Sequence, residues 1–209
     1  FINRNGEEFE VKQEVQEVEE NDTIRTIEDS SGYIVFPDNS LILLDFNTEI
    51  SIDKIYLSDE ESKVTISLAN GNVWSSVKKD EGKVINFNVK TSSTVASVTG
   101  TKFGCNFVSD VNTVCYVTEG KVNISSPNSE GFKSSSLEAG EVFNGGEQGI
   151  GSEDNAKDFI NDFNIEDDNE FLRPQWVDYI NCIDEKSIDF EKVNLGLECK
   201  NILVSDKYL

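Results

Sequence analysis

The four cysteines are the residues whose spacing predicts a chemical bond. Cys105 and Cys115 lie in segments of alternating β-branched and aromatic residues, separated by a polar stretch around Asp110. A turn centred near Asp110 would place Cys105 opposite Cys115, close enough for a disulfide. Four cysteines allow three pairings; local pairing predicts Cys105–Cys115 and Cys182–Cys199, and four buried free thiols are the alternative. Two bridges would indicate an oxidising compartment outside the cytoplasm.

Histidine is absent from all 209 residues, and this absence removes the commonest catalytic arrangements. Ser-His-Asp and Cys-His catalysis, histidine-ligated metals and the ordinary proton shuttle at neutral pH all require an imidazole. There is no Cys-x-x-Cys motif, so the usual zinc and redox motifs are missing as well. The 40 acidic side chains guarantee accidental carboxylate pairs of the kind that glycosidases use, but no sequence feature selects one pair. The sequence therefore predicts a protein that is not an enzyme.

The formal net charge of −22 limits the partners of this chain. Such a charge repels phosphate backbones and anionic membrane surfaces, so we expect no nucleic-acid partner. Acidic clusters such as Asp59–Glu61 and Glu166–Glu170 lack the ligand spacing and central glycine of a calcium-binding EF-hand loop. No cofactor is therefore predicted, with Ca²⁺ as the weaker alternative.

The chain contains no run of 18 apolar residues, so we expect no direct membrane insertion. It begins at Phe1 and contains no methionine. These two features favour an N-terminus from which a signal peptide or an anchor has been removed.

Short alternating segments separated by turn residues predict a mainly β fold. Pro37–Ser40 has the composition of a turn and separates two apolar segments. Asn70 and Gly71 predict a two-residue hairpin between Val64–Leu68 and Val73–Val77. Many short strands at such intervals are typical of an all-β sandwich or barrel.

The segment Thr91–Phe103 resembles the signature strand of the FecR family, in which a Gly-Thr step precedes a phenylalanine. Five further segments resemble family motifs in the same order and spacing: Asn21–Thr26, Tyr33–Ser40, Leu68–Trp74, Val117–Val122 and Leu137–Glu141. The resemblance covers roughly residues 8–145. The family-motif residues in this sequence are Gly100, Thr101, Phe103, Gly120 and Gly140.

This resemblance implies a jelly-roll-like antiparallel β-sandwich without catalytic machinery. The best-known members of the family relay a signal across a bacterial envelope to a sigma factor, using a cytoplasmic segment, one transmembrane helix and an outer domain. The same module also occurs in secreted and surface proteins as a non-catalytic building block.

The first 20 residues are predicted to form an edge strand or an exchanged strand. Phe9, Val11 and Val15 alternate on one face, and charged residues occupy the other. We expect this strand, with Phe1 and Ile2, or else the C-terminal tail, to add to the sheet of an adjacent copy and to build an oligomer or filament. A monomer in which the strand completes its own sheet is the alternative.

Composition changes after residue 145, where a glycine-rich junction leads into an acidic, α-rich extension. Ser152 can cap a helix that reaches Phe163, and Pro174 fits the first turn of a second helix that continues to Ile183. Ile202–Val204 is expected to be a final strand or a docked tail. The predicted organisation is an N-terminal strand (residues 1–20), a FecR-like β-sandwich (21–145) and the junction with its C-terminal α-helical extension (146–209).

Taken together, these features favour a non-enzymatic FecR-like structural module in an extracellular or cell-surface location. It would act through protein–protein contacts, and copies of itself are the most concrete partner. The alternative function is the outer sensor domain of a bacterial envelope signal-transduction protein that regulates a sigma factor. A carbohydrate-binding module is the third hypothesis, and it requires exposed aromatic rings, such as those of Trp74 and Trp176, aligned on one sheet face.

Overall fold

A computed structural model describes residues 1–11, 15–28, 30–128, 131–145, 149–151 and 202–204 of the chain. These residues form 17 β-strands, and the described part contains no helix. The predicted mainly β fold is therefore confirmed. The predicted helices from Ser152 to Phe163 and from Pro174 onward lie outside the described residues.

Sheet A contains nine strands in the order β2-β1-β4-β7-β8-β9-β10-β13-β14. Its strands are β1 (Ile2–Arg4), β2 (Glu7–Phe9), β4 (Thr23–Arg25), β7 (Glu49–Leu57), β8 (Glu61–Ser76), β9 (Val84–Lys90), β10 (Val95–Val98), β13 (Lys121–Asn128) and β14 (Gly131–Glu138). Every pairing is antiparallel except that of β8 with β9. The two edge strands of this sheet, β2 and β14, do not pair with each other, so the described strands do not form a closed sheet.

Sheet B follows the order β3-β17-β5-β6-β8-β11-β12-β15-β16. Its strands besides β8 are β3 (Val15–Glu17), β5 (Gly32–Val35), β6 (Leu41–Leu44), β11 (Lys102–Ser109), β12 (Asn112–Glu119), β15 (Val142–Asn144), β16 (Gly149–Gly151) and β17 (Ile202–Val204). The expected strand at Ile202–Val204 is present, and it runs parallel to both β3 and β5.

A single hydrophobic core joins the two sheets. Alternate residues of β9 point into it, and Ile85, Phe87 and Val89 are buried between more exposed neighbours. The core takes residues from sheet A, such as Ile50, and from sheet B, such as Ile42. At roughly 25 cal/mol per Å² of buried apolar surface, this burial is the main favourable term in folding.

Strand β8 connects the sheets, and here the sequence prediction was wrong. Instead of a hairpin at Asn70 and Gly71, one 16-residue strand continues through both positions. Residues before Asn70 pair with β7 and β9, and residues after Gly71 pair with β6 and β11. Gly71 has φ of +81°, and a Cβ atom there would lie 2.7 Å from Thr48 Cα. The Asn-Gly pair thus turns the strand from one sheet into the other, because glycine alone tolerates this conformation and this contact.

The N-terminal region also differs from the prediction of one continuous strand. Asn5 (φ +56°) and Gly6 (φ +88°) form a tight turn between β1 and β2, which pair as a hairpin. Two positive φ values suit a two-residue hairpin turn whose twist matches that of the strands, and Asn-Gly is its favoured sequence. The hairpin predicted at Pro37–Ser40 is confirmed: Asn39 has φ of +61°, and β5 pairs with β6.

Candidate functional site

The family-motif residues Gly100, Thr101 and Gly120 meet where β11 begins and β12 ends. The N–H and carbonyl of Thr101 bond to the carbonyl and N–H of Val77, at 3.1 and 2.9 Å. The Thr101 hydroxyl donates to the carbonyl of Lys121 (2.8 Å). A Cβ atom on Gly120 would lie 2.7 Å from the Gly100 carbonyl oxygen, so the two motif backbones touch. These contacts join three strands of the fold and leave no reactive group exposed.

The other two motif residues also stabilise the fold. Phe103 is fully buried in the core. Gly140 has φ of +87°, and its N–H donates to the carbonyl of Val117 (2.8 Å). The Glu141 carboxylate accepts a hydrogen bond from the Glu138 N–H (2.7 Å), which closes the turn before β15. The FecR motif residues thus account for architecture and not for chemistry.

The predicted hairpin and its disulfide are both present. Strand β11 turns at Asp110 and Val111 into β12, which places Cys105 directly opposite Cys115. The two residues form a disulfide with a Cα–Cα distance of 4.2 Å, and both are buried in the shared core. The hydroxyl of Ser92 donates to the carbonyl of Asp110 (2.9 Å), which attaches the turn to the loop before β10. Cys182 and Cys199, the other predicted pair, lie outside the described residues.

A buried polar network lies where β8 passes between the sheets. Thr26 donates from its hydroxyl to the Asp45 carbonyl, and the Thr48 N–H donates to the Thr26 hydroxyl (2.8 Å). The Thr48 hydroxyl donates to the Asn72 carbonyl (3.1 Å) and accepts a hydrogen bond from the Asn72 N–H (3.0 Å). Nearly every polar atom of this cluster has a partner inside it, so the loops it joins are held in fixed positions.

Asp45 is the charged member of this network and is 6% exposed. Burial raises the pKa of Asp45 above its usual value, because a carboxylate is less well solvated away from water. Hydrogen bonds from the Phe46 N–H (2.8 Å) and the Asn72 side-chain amide (3.3 Å) oppose that rise in the pKa.

Two exposed apolar side chains, Ile27 and Phe46, project from the loops that this network fixes. They are 42% and 40% exposed. Their loops touch, since the Asn47 N–H donates to the carbonyl of Ile27 (3.4 Å). We call Ile27 and Phe46 the corner surface. Sequence reasoning missed it because Ile27 follows a motif threonine and reads as one more strand residue.

The N-terminal hairpin is attached to its own sheet by a buried ion pair. Arg4 donates from Nε and Nη2 to the two oxygens of Asp22, at 2.8 and 2.7 Å, and Asp22 is fully buried. Arg4 also contacts Glu19 at 2.6 Å. The Asn21–Thr26 motif therefore supplies the carboxylate that holds strand β1, and this geometry positions Thr26 as well.

The residues proposed for assembly take different positions. Ile2 is fully buried in the core, and the Phe1 nitrogen donates to the carbonyl of Arg25 (2.8 Å) while its ring lies 4.8 Å from the Arg25 guanidinium. Val11 is partly buried against the core, and Phe9 is 36% exposed. The side chain of Val15 is outside the described residues. Strand β1 thus pairs with β4 of the same chain, and the addition of this strand to an adjacent copy stays a prediction.

Aromatic rings do align on one face of sheet B, as the carbohydrate hypothesis requires. Trp74 and Tyr116 pack edge to face with centroids 5.3 Å apart, and Trp74 lies over Gly104. Both rings are only partly exposed, and Tyr33 on the same face is 6% exposed. A sugar-binding platform needs aromatic ring faces that are open to solvent. The rings on this face are aligned as the hypothesis requires, but they are not exposed as it requires. Trp176 lies outside the described residues.

The acidic clusters bear on the alternative of Ca²⁺ binding. Within those ranges, no three carboxylate or thiol side chains gather where a metal ion could bind, Asp59–Glu61 included. The cluster Glu166–Glu170 is outside them. The described part of the chain also offers no helical segment capable of spanning a bilayer.

The geometry defines a disulfide-bonded, mainly β domain whose motif residues serve its architecture. Residues 22–123 match the model of the family described as FecR protein. The family resemblance found in the sequence is thereby confirmed.

No curated protein is similar enough to this chain to count as a match. Two crystal structures of a candidate anti-sigma factor from Parabacteroides distasonis ATCC 8503 are similar to it, at 23% and 22% sequence identity with TM-scores of 0.47 and 0.48. Each comparison covers 61% of this chain and 57% of the other. This chain therefore matches little more than half the length of that protein.

Proposed function

We propose that this chain is the outer, non-catalytic domain of an envelope signal-transduction protein that controls a sigma factor. The observation that carries the proposal is the match of residues 22–123 to the FecR family, and four of the five motif residues, Gly100, Thr101, Phe103 and Gly120, lie within this range. The function first expected from the sequence, a self-assembling structural module, has less support.

The proposal includes the finer features expected from the sequence. The domain would be a jelly-roll-like sandwich over residues 21–145, preceded by the N-terminal segment and followed by the extension over residues 146–209. The disulfide between Cys105 and Cys115 supports a location outside the reducing cytoplasm. The absence of histidine from the sequence supports a role in binding and not in catalysis.

The corner surface is the proposed contact site for a protein partner. Exposed apolar side chains at the centre of a contact contribute most of its binding energy when water is excluded from them. Ile27 and Phe46 are exposed apolar side chains of this kind. The network of Thr26, Asp45 and Thr48 fixes their loops before any partner binds. A preformed surface loses little conformational entropy on binding.

A transcription experiment in the source organism tests the proposal. The gene is deleted in one strain, and in others it carries Ile27→Asp with Phe46→Asp, or the matched control Val84→Asp. Val84 is 59% exposed on β9 and is distant in sequence from the corner surface. We expect the deletion and the double variant to alter transcription of one sigma-factor-dependent gene set, and the control to leave it unchanged.

Two results from the same strains would contradict the proposal. If deletion alters no transcript beyond the deleted gene, the signalling role is wrong. If deletion alters the gene set and the double variant at normal protein level does not, the corner surface is not the contact site.

Self-assembly by strand addition would use the free edge of β2. That edge carries Glu7 and Glu8, and acidic side chains at an edge oppose pairing with a second negatively charged copy. Polymers of the native protein in electron micrographs would favour this function over signalling.

A further inference from the structure

Six buried apolar side chains do not belong to the core between the sheets. They lie on strands of sheet B and alternate with core residues: Ile34 and Ile42 point into the core, whereas Tyr33 and Leu43 point away from it. All six are less than 9% exposed. They are Tyr33, Val35, Leu41, Leu43, Val114 and Val142.

These side chains share the outer face of sheet B with Trp74 and Tyr116. The strand register places Tyr33, Leu43, Trp74, Gly104, Tyr116 and Val142 side by side in one row across the sheet. We call this row, with Val35, Leu41 and Val114, the outer row. In a monomer with one core, the outward face of an antiparallel sheet is normally polar. An apolar outward row that is also buried requires a covering layer.

The ends of the row indicate what supplies that layer. Strand β16 lies at one edge of sheet B, where Gly151 pairs with Val142. Strand β17 lies at the other side, where Ile202 pairs with Tyr33. Residues 152–201 connect Gly151 to Ile202, so this connection starts at one end of the row and finishes at the other.

The length of the connection is sufficient for the crossing. Seven steps between neighbouring strands separate β16 from β17, which at ~4.8 Å per step is roughly 34 Å. About 23 residues would span that distance as a helix, and fewer as an extended chain. The connection contains 50 residues.

The inner face of sheet B is filled by the shared core, so a crossing between its edges has only the outer face as a direct path. The connection carries large apolar residues, including Phe159, Phe163 and Trp176, that need a surface to pack against.

We propose that residues 152–201 of the same molecule pack across the outer face of sheet B and bury the outer row. The shared core would then lie on the inner face of sheet B and the acidic extension on its outer face, so the extension would not be a separate domain. This inference does not depend on the proposed signalling function.

Photo-crosslinking of the full chain tests the proposal. Tyr116→p-benzoylphenylalanine places a crosslinking ring in the outer row at a position that is already aromatic. Asn106→p-benzoylphenylalanine is the second probe, because Asn106 lies beside Val114 on the same face and is partly exposed. The matched control is Tyr56→p-benzoylphenylalanine, at a tyrosine 45% exposed on the outer side of sheet A. Circular dichroism checks that each variant is folded.

Each variant is irradiated as a mixture of unlabelled and ¹⁵N-labelled protein, and the crosslinked peptides are identified by mass spectrometry. We expect both sheet B probes to crosslink to peptides from residues 152–201 with a single isotope label, and the Tyr56 probe to yield none of these. Mixed labels would mean that a second copy covers the face, and would overturn the proposal. The absence of crosslinks to residues 152–201 from either folded sheet B variant would overturn it as well.

Discussion

Reduction of the Cys105–Cys115 disulfide should destabilise this protein measurably. The bridge closes a loop with a sequence separation of 10. In the chain-entropy model, a loop of about 10 residues removes roughly 9 cal/mol/K from the unfolded chain, or about 2.7 kcal/mol at 25 °C. Both sulfur atoms belong to residues buried in the core, where a neutral thiol is tolerated as a small apolar group. The entropy of the unfolded state should therefore dominate the change in the free energy of unfolding.

The assay is urea unfolding, followed by circular dichroism, of oxidised and reduced protein. Cys182→Ala and Cys199→Ala are present in both samples, so that the Cys105–Cys115 bond is the only one that reductant can break. A further variant with Cys105→Ala and Cys115→Ala in this background controls for effects of the reductant itself. We expect reduction to lower the free energy of unfolding by about 2.7 kcal/mol in the first protein and to leave the second unchanged.

Two outcomes would refute this reasoning. A loss smaller than about 0.5 kcal/mol, comparable with the error of extrapolation to zero urea, would show that the bridge does not constrain the unfolded chain as calculated. Non-reducing peptide mapping of the unmodified protein that links Cys105 to Cys182 or Cys199 would contradict the strand register itself.

Two further predictions concern the buried polar network of Thr26, Asp45 and Thr48. Gly71→Ala should destabilise the protein by about 3 kcal/mol or more, because a Cβ there meets Thr48 Cα at 2.7 Å in addition to the positive φ. Gly6→Ala, where φ is +88° and nothing lies within 4 Å, should cost only about 1 kcal/mol. Urea unfolding measures both losses, and equal losses would contradict the steric argument. Asp45→Asn should change the pH dependence of stability: burial raises the pKa of Asp45, so the free energy of unfolding of the unmodified protein falls as pH rises from the carboxyl's unfolded pKa through its folded pKa. The substitution removes that fall, because an amide does not titrate, and urea unfolding between about pH 3 and 8 would measure the difference; parallel pH profiles for the two proteins would show that Asp45 does not titrate in this way.

The cysteine hairpin was predictable because its signals are local. A polar turn flanked by alternating segments fixes the register of two adjacent strands, and Cys105 opposite Cys115 follows from that register alone. The same reasoning failed at Asn70 and Gly71, where the local signal for a hairpin is equally strong. Tertiary context decided the outcome there: Thr48 packs against Gly71 and the strand continues into the second sheet. A positive φ at glycine is compatible with either geometry, so the sequence alone does not distinguish them.

The candidate contact site depends on contacts that sequence reasoning does not reach. Thr26, Asp45 and Asn72 are separated by 19 and 27 residues, and their meeting follows from the sheet topology. The Asn5-Gly6 turn, in contrast, has a favoured hairpin sequence, but its flanking residues are charged and alternate poorly, so the strand signal around it is weak. Its recognition would have divided the predicted N-terminal strand correctly.

The C-terminal extension and sheet B together pose one physical problem. The extension over residues 146–209 is too short to expect an independent core of its own, yet it carries phenylalanine, tryptophan and isoleucine at helical spacing. Sheet B, for its part, presents an outward row that only a covering layer can bury. The strand pairing at Gly151 and Ile202 places the two ends of residues 152–201 at opposite sides of that sheet, as the proposed packing requires. A boundary at residue 145 divides the sequence by composition, whereas the proposed packing would make one folded unit of both parts.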